Sequence, residues 1–536
     1  MVFTDLRRQL TAFVARGPYK YTLLPENTSR SQMRMRATGW VNQHIFSIRL
    51  ALCALLSIVI ISFSMTFMYV KYVLEVFVIN SSLLLTTNIY LPRQSISSQP
   101  CRGFIHDHDR HCKSEVSRLW GQYSSVFSVP SEISPAIPEG CDVTFAQVLS
   151  RHGARDPTEH KSLAYGALVE RIHNTVVNYG KNLEFIKDYK YTLGADQLTL
   201  FGEQQMADSG VKFYERYQHL ASTNSPFVRA SGQDRVVESA QNWTQGFHLA
   251  RLADKHSHIP DTYPYDILII PERDGFNNSL SPNLCPAFED SRHDNQSKQD
   301  TWTEHFVPPL TERLNENLPG ADLTDEEAIY IMDLCPFNTV ADDKGKLSQF
   351  CYLFTVDEWH DYDYYQSLGK WYGFGNGNPL GPTQGVGFVN ELLARLTGQP
   401  VVDHTTTNST LDGSNTTFPL DRVLYADFSH DNDMMDIYGA LGLYNLTDPL
   451  PGSRRVSPRE AKGFSAAWAV PFAARLYVEK MSCGGSKEEF VRILVNDRVI
   501  PLQNCDADEL GRCTLTKFVE SQSFAKNGGH WDQCFT

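Results

Sequence analysis

The chain has 536 residues, 42% hydrophobic and 21% charged, with a formal net charge of −14. That length holds two or more structural units around sizeable cores, and an aromatic share of 12% excludes a long disordered or collagen-like chain. So negative a charge excludes a protein that coats nucleic acid, which needs Lys and Arg to replace phosphate counterions. A local cluster of arginines can still build an anion site.

Residues 50–70, LALCALLSIVIISFSMTFMYV, run without a charge between Arg49 and Lys71, enough to cross a bilayer as one helix. Arg7, Arg8, Arg16, Lys20, Arg30, Arg34, Arg36 and Arg49 precede it against only Asp5 and Glu26. The positive-inside rule puts residues 1–49 in the cytosol as a basic tail and everything after Lys71 outside or in the lumen. The expectation is a single-pass type II membrane protein, or a protein secreted after N-terminal processing, with 71–100 as a stalk and 101–536 as the folded domain. A secretory signal lengthened by an upstream start is the alternative reading. Ten cysteines follow the apolar run, an even number that suits disulfides in an oxidising compartment. Sequons at Asn80, Asn242, Asn277, Asn295, Asn408, Asn415 and Asn445 are glycan acceptors on that side.

Within the domain, VTFAQVLS (143–150) and RVLYADFS (422–429) read as buried strands, each ending in a polar cluster. Helical patterns lie at 202–220 and 325–335, and 378–398 reads as a Pro/Gly loop leading into a helix closed by Gly398. Strands alternating with helices predict an α/β sandwich, and the mostly helical middle, about 170–330, predicts an inserted second lobe. In open α/β sheets ligands sit beyond the carboxyl ends of the strands. Both polar clusters fall there.

The first cluster, Arg151-His152-Gly153-Ala154-Arg155, sets two guanidiniums around one imidazole. Arg offers a fork of donors that matches phosphate oxygens in pairs, and a neutral imidazole beside them can attack phosphorus. Gly153 admits a close backbone approach to a ligand. A core histidine beside two surface arginines is the alternative, and the second cluster, Ser429-His430-Asp431-Asn432, weighs against it.

The pattern R-H-G-x-R-x-P with a downstream H-D resembles the histidine acid phosphatases. CDVTFAQVLSRHGAR, YTLGADQLT, NPLGPTQGVGF, YADFSHDN and VRILVNDRVIPL extend the likeness to filamentous-fungal phytases across about 101–536. The resemblance implies a three-layer α/β/α sandwich with a mixed central sheet and a smaller helical lobe. It implies His152 as a nucleophile that becomes phosphohistidine, Arg151, Arg155 and Arg235 around the phosphoryl oxygens, His430 as a further donor, and Asp431 as the general acid. Arg229, in the same segment as Arg235, competes for that place, and the family pattern favours Arg235. Lys161, Lys370, Asn432 and Tyr123 match pocket positions. The borrowed disulfide order pairs Cys101 with Cys112, Cys141 with Cys483, Cys285 with Cys534, Cys335 with Cys351, and Cys505 with Cys513.

The activity implied is phosphomonoester hydrolysis of phytate (myo-inositol hexakisphosphate) at acidic pH by a monomer, with no metal or cofactor. Alternatives are a broad-specificity extracellular acid phosphatase and a membrane-tethered binding protein of the same fold. This chain departs from the family at Asp156, where an aromatic residue is common, and at Ala164 and Gly369, where two pocket lysines are missing. Those departures predict a weaker grip on distal phosphates. HDHDRH (106–111) lacks metal-ligand spacing and reads as a solvated loop. Gly373, Gly375 and Gly377 complete no phosphate-loop motif.

Overall fold

The computed structural model describes residues 21–22, 110–257, 263–294 and 297–536. The apolar run 50–70, the stalk, Cys101 and the sequons at Asn80 and Asn295 lie outside the described residues. Among the described residues no helix is long and apolar enough to cross a membrane.

One nine-stranded sheet organises the domain. A short strand β1 (Tyr21–Thr22) lies at one edge, and β2 (Cys141–Arg151), β3 (Phe227–Ser231), β4 (Ile267–Ile270) and β5 (Leu424–Ser429) follow in the chain. These five run parallel in the order β1-β4-β3-β5-β2. The antiparallel strands β6 (Arg475–Cys483), β7 (Phe490–Val495), β8 (Arg498–Val499) and β9 (Arg512–Thr514) complete it on the far side of β2. The sheet is therefore mixed, as expected.

The two-residue period of a strand explains the layers. On β2, Phe145 and Leu149 join one apolar core and Ala146 and Val148 the other. On β5, Leu424, Ala426 and Phe428 share the second core while Tyr425 faces the first. Parallel strands covered on both faces read as continuous apolar runs, which is why these two were legible. Helices α1 (Glu159–Thr175), α4 (Asp325–Ala341), α5 (Val356–Gly373), α6 (Val386–Thr397) and α7 (Asp431–Ala440) contribute to the first core. Helices α2 (Leu200–Arg216) and α3 (Asp234–Ala253) contribute to the second. Gly398, at φ 67°, closes α6 as its sequence predicts.

The boundary expected for the helical lobe is corrected. Residues 170–330 include β3 and β4 in the middle of the parallel sheet, and α2 and α3 cover one of its faces. Both strands are short, and β3 carries a buried arginine, Arg229, that breaks its apolar run. The helices outside that pattern run instead from Pro286 to Gly373. Disulfides Cys141–Cys483, Cys285–Cys534, Cys335–Cys351 and Cys505–Cys513 are formed as the resemblance implied.

Candidate active site

Four parallel strands deliver the site from their carboxyl ends. Arg151 ends β2 opposite Ser429, the last residue of β5, so His152 and His430 leave the sheet side by side with ring centroids 5.7 Å apart. Arg235 opens α3 just after β3, and Glu272 follows β4. Asp431 and Asn432 form the first turn of α7.

His152 is buried, and its Nδ1 lies 2.8 Å from the Gly153 carbonyl. A carbonyl only accepts, so Nδ1 carries the proton and Nε2 keeps its lone pair. Burial, and then Arg151, Arg235 and Arg155, push the imidazole well below its usual value. The ring is therefore pushed toward its neutral form, with the lone pair on Nε2. The adjacent glycine serves the protein more than a ligand: a Cβ on Gly153 would lie 2.4 Å from the Gly202 carbonyl oxygen. One on Gly202 would lie 1.9 Å from that of Ala154. The two glycines let the start of α2 abut the loop that carries His152.

Arg151 is fully buried, its Nη1 donating to the carbonyls of Gln122 and Val470 and its guanidinium 4.5 Å from the Phe472 ring centre. Arg155 is also buried and donates to the Asp156 carbonyl at 2.7 Å. Arg235 lies 3.3 Å from Asp196. Burial pushes Arg151 and Arg235 down to about 10, each helped by repulsion from Arg155. Both remain charged at acidic and neutral pH. The Nε atoms of all three arginines, and Nη2 of Arg151, are buried without a hydrogen-bond partner, so donors converge on the imidazole with capacity to spare.

Asp431 faces this cluster, 2.6 Å from Lys370 Nζ and 3.4 Å from Arg151 Nη2. Burial disfavours its charge, but Arg151 and then Lys370 outweigh burial and hold the carboxyl well below the usual range. Asn432 accepts from the same Lys370 ammonium at 2.5 Å. His430 Nε2 lies 2.9 Å from Glu272 Oε1, and there too the pairing outweighs burial and lowers the carboxylate. Burial, with Glu272 and Asp431 alongside, pushes the Asp433 carboxyl well above the usual range.

Lys161 and Tyr123 meet at 3.3 Å, as a pair. Lys161 also lies 2.9 Å from Asp333, a fully buried carboxylate that accepts from the hydroxyls of Tyr165 and Tyr362. The Phe472 ring joins this pair to the cluster around His152, 6.1 Å from Tyr123 and 6.2 Å from His152. Arg229 is engaged at 2.8 Å by Asp427 and 2.6 Å by Glu391 within the sheet's core, whereas Arg235 is among the arginines that act on the His152 imidazole. Asp156 accepts a hydrogen bond from the Gly194 backbone, and burial raises its carboxyl.

Sequence reasoning missed Glu272, Asp333, Asp196 and Phe472. Glu272 follows the apolar run ILII; reading that run as a strand would have placed a carboxylate at its end. The others are partners only through tertiary contact. Among the described residues no cluster of His, Cys, Asp and Glu is built to hold a metal ion.

The family pattern described as histidine phosphatase superfamily (branch 2) matches residues 142–496. The chain is 51% identical to Phytase A of Aspergillus oryzae over 453 residues, 84% of this chain and 96% of that protein. It is 53% identical to Phytase A of Emericella nidulans over 429 residues, 79% and 92% of the two chains. Against Phytase A of Aspergillus fumigatus it is 48% identical over 464 residues, 86% and 99%. The crystal structure of the phytase from D. castellii shares the fold at a TM-score of 0.65 and 22% identity, covering 81% of this chain and 93% of that one.

Proposed function

This chain belongs to branch 2 of the histidine phosphatase superfamily, and we infer from that membership and from its site that it is a phosphoric monoester hydrolase whose substrate is phytate. The observation that carries the reading is an imidazole fixed by the Gly153 carbonyl and pushed toward its neutral form by burial and three arginines whose Nε atoms are buried without a partner.

Arg151, Arg155 and Arg235 take the non-bridging oxygens of one phosphate, where charge must be held as the transition state forms. Nε2 of His152 forms a bond to phosphorus while the bond to the inositol oxygen breaks, and the Asp431 carboxyl gives that oxygen its proton. Water then attacks the phosphohistidine and passes a proton to the Asp431 carboxylate, the P–N bond breaks, and inorganic phosphate leaves. His430, oriented by Glu272, serves as a further donor. Asp431 needs a proton for the first step, yet its cationic neighbours hold it ionised. A bound phosphoryl dianion offsets the charge of Arg151 and Lys370 and so raises the proton affinity of Asp431. Lys161, Tyr123, Lys370 and Asn432 line the way to the remaining phosphates.

Rapid acid-free quenching during phytate turnover should trap an acid-labile, alkali-stable phosphoryl group on His152, and His152→Ala should lose both that adduct and all turnover. Turnover by His152→Ala would overturn the assignment.

We further propose that the enzyme acts outside the cell or in the secretory pathway, tethered by residues 50–70 or released by processing. The four disulfides support an oxidising compartment. Retention in membranes washed with alkaline carbonate would distinguish the tethered form from a released one.

A further inference from the structure

Asp196 adopts a left-handed backbone, φ 61°, which among non-glycine residues favours Asn and Asp. Its N–H donates to the Pro157 carbonyl at 2.8 Å, and its neighbours bond the same loop: Asp156 N–H donates to Gln197 at 2.9 Å and Thr199 N–H to Ala154 at 3.0 Å. This strap along the loop of Arg155 places the Asp196 carboxylate between two partners. Oδ2 accepts from the Glu159 N–H at 2.9 Å, at the first turn of α1, and Oδ1 lies 3.3 Å from Nη1 of Arg235. Among the described residues that ion pair is the one Arg235 makes, although Asp431 and Glu272 act on it from further off. Arg235 needs such a tether. Arg155 repels it, its Nε is buried without a partner, and its side chain is 11% exposed, with solvent open to it.

We propose that Asp196 is a positioning residue that holds the Arg235 guanidinium beside His152 against the repulsion of Arg155. It does not touch the phosphoryl group, and it spends one edge of the guanidinium to aim the other. The inference rests on the reading above, in which Arg235 binds the phosphoryl oxygens.

Asp196→Gly tests it, because glycine suits the left-handed backbone and removes the carboxylate. With p-nitrophenyl phosphate and with phytate, kcat/KM should fall about tenfold, as expected for a charge-assisted contact, while the melting temperature falls only by what the lost Glu159 cap contact costs, a shift that an Arg235→Gln background leaves the same. Asp196→Asn, which keeps one acceptor and the backbone preference, should recover part of that loss. In an Arg235→Gln background, Asp196→Gly should change kcat/KM less than about twofold, since the two residues act as one unit. Wild-type kcat/KM in Asp196→Gly, or an equal loss in both backgrounds, would overturn the inference. Full turnover by Arg235→Gln alone would instead overturn the role given to Arg235.

Discussion

Lys370 Nζ lies 2.6 Å from Oδ2 of Asp431, so the residue assigned as proton donor is first of all the partner of a cation. That pairing sets the upper pH at which the acid still carries its proton. Removing the ammonium with Lys370→Met takes away a charge and a hydrogen bond that lower Asp431, and its pKa should rise. For phytate, the alkaline limb of the pH–kcat profile should move up by the same amount, and KM should rise because a phosphate contact is lost as well. An unmoved limb would show that Arg151 alone fixes the acid.

Asp431→Asn separates the two halves of the reaction. The amide keeps an oxygen acceptor for Lys370 but has no proton to give. Hydrolysis of phytate, whose leaving alkoxide needs that proton, should slow by about 10²–10⁴. p-Nitrophenyl phosphate, with a stable leaving phenolate, should be nearly spared. Equal slowing of both substrates, measured as kcat at one acidic pH, would remove Asp431 from the acid role.

The two missing pocket lysines are not equivalent positions. Ala164 lies on α1 one turn beyond Lys161 and is half-buried. A Cβ at Gly369 would lie 2.7 Å from the amide nitrogen of Gln299, which donates to the Tyr365 carbonyl. Ala164→Lys should therefore lower the phytate KM by itself, by a factor that corresponds to about 0.2–1 kcal/mol for a solvated charge. The gain should fade as salt rises. Gly369→Lys should do so only after Gln299→Ala makes room. Asp156→Tyr, which looks from sequence like a rim change, also breaks the Asp156–Gly194 hydrogen bond and should cost stability.

What the sequence made legible follows from how far each signal reaches along the chain. β2 and β5 were visible as apolar runs because both faces are buried, and their polar ends marked His152 and Asp431. β3 and β4 were hidden, one by Arg229 and the other by its length of four residues. The partners that tune the site stand far from it in sequence: Glu272 is 158 residues from His430, and Asp333 is 172 from Lys161. No local pattern encodes such pairs.

Arg229 and Arg235, six positions apart, should fail in opposite ways. Arg229 bridges Asp427 and Glu391 in the core, and Arg395 lies 2.6 Å from the same Asp427. Arg229→Gln leaves buried carboxylates undercompensated and should destabilise the fold by about 3–5 kcal/mol. Arg235→Gln should leave the melting temperature unchanged and lower kcat/KM by about a hundredfold or more. Thermal melts and kinetics on the same two variants decide it.

Stability should fall as pH rises through the neutral range, and buried carboxyls account for the direction, Asp363 and Asp412 among them. Burial pushes Asp363 up to about 7 and Asp412 up to about 8, both from an ordinary value of 3.8. Beside Asp412, Glu391 adds repulsion, whereas at Asp363 the bonds from Ser465 and Gly121 oppose the rise. Between these limits the folded chain holds protons that the unfolded chain has released, so raising pH favours unfolding. The contribution is complete below about pH 4, is lost as pH climbs to 7–8, and then stays lost, on the order of 4 kcal/mol for Asp363. Asp363→Asn tests this without changing shape. Its oxygen can still accept the Gly121 N–H at 3.2 Å, and its amide can donate to Ser465 Oγ, which lies 3.1 Å from the present carboxyl. The variant should match the wild type in melting temperature near pH 4 and exceed it at pH 8. Parallel melting curves at both pH values would show instead that Asp363 carries no linked proton.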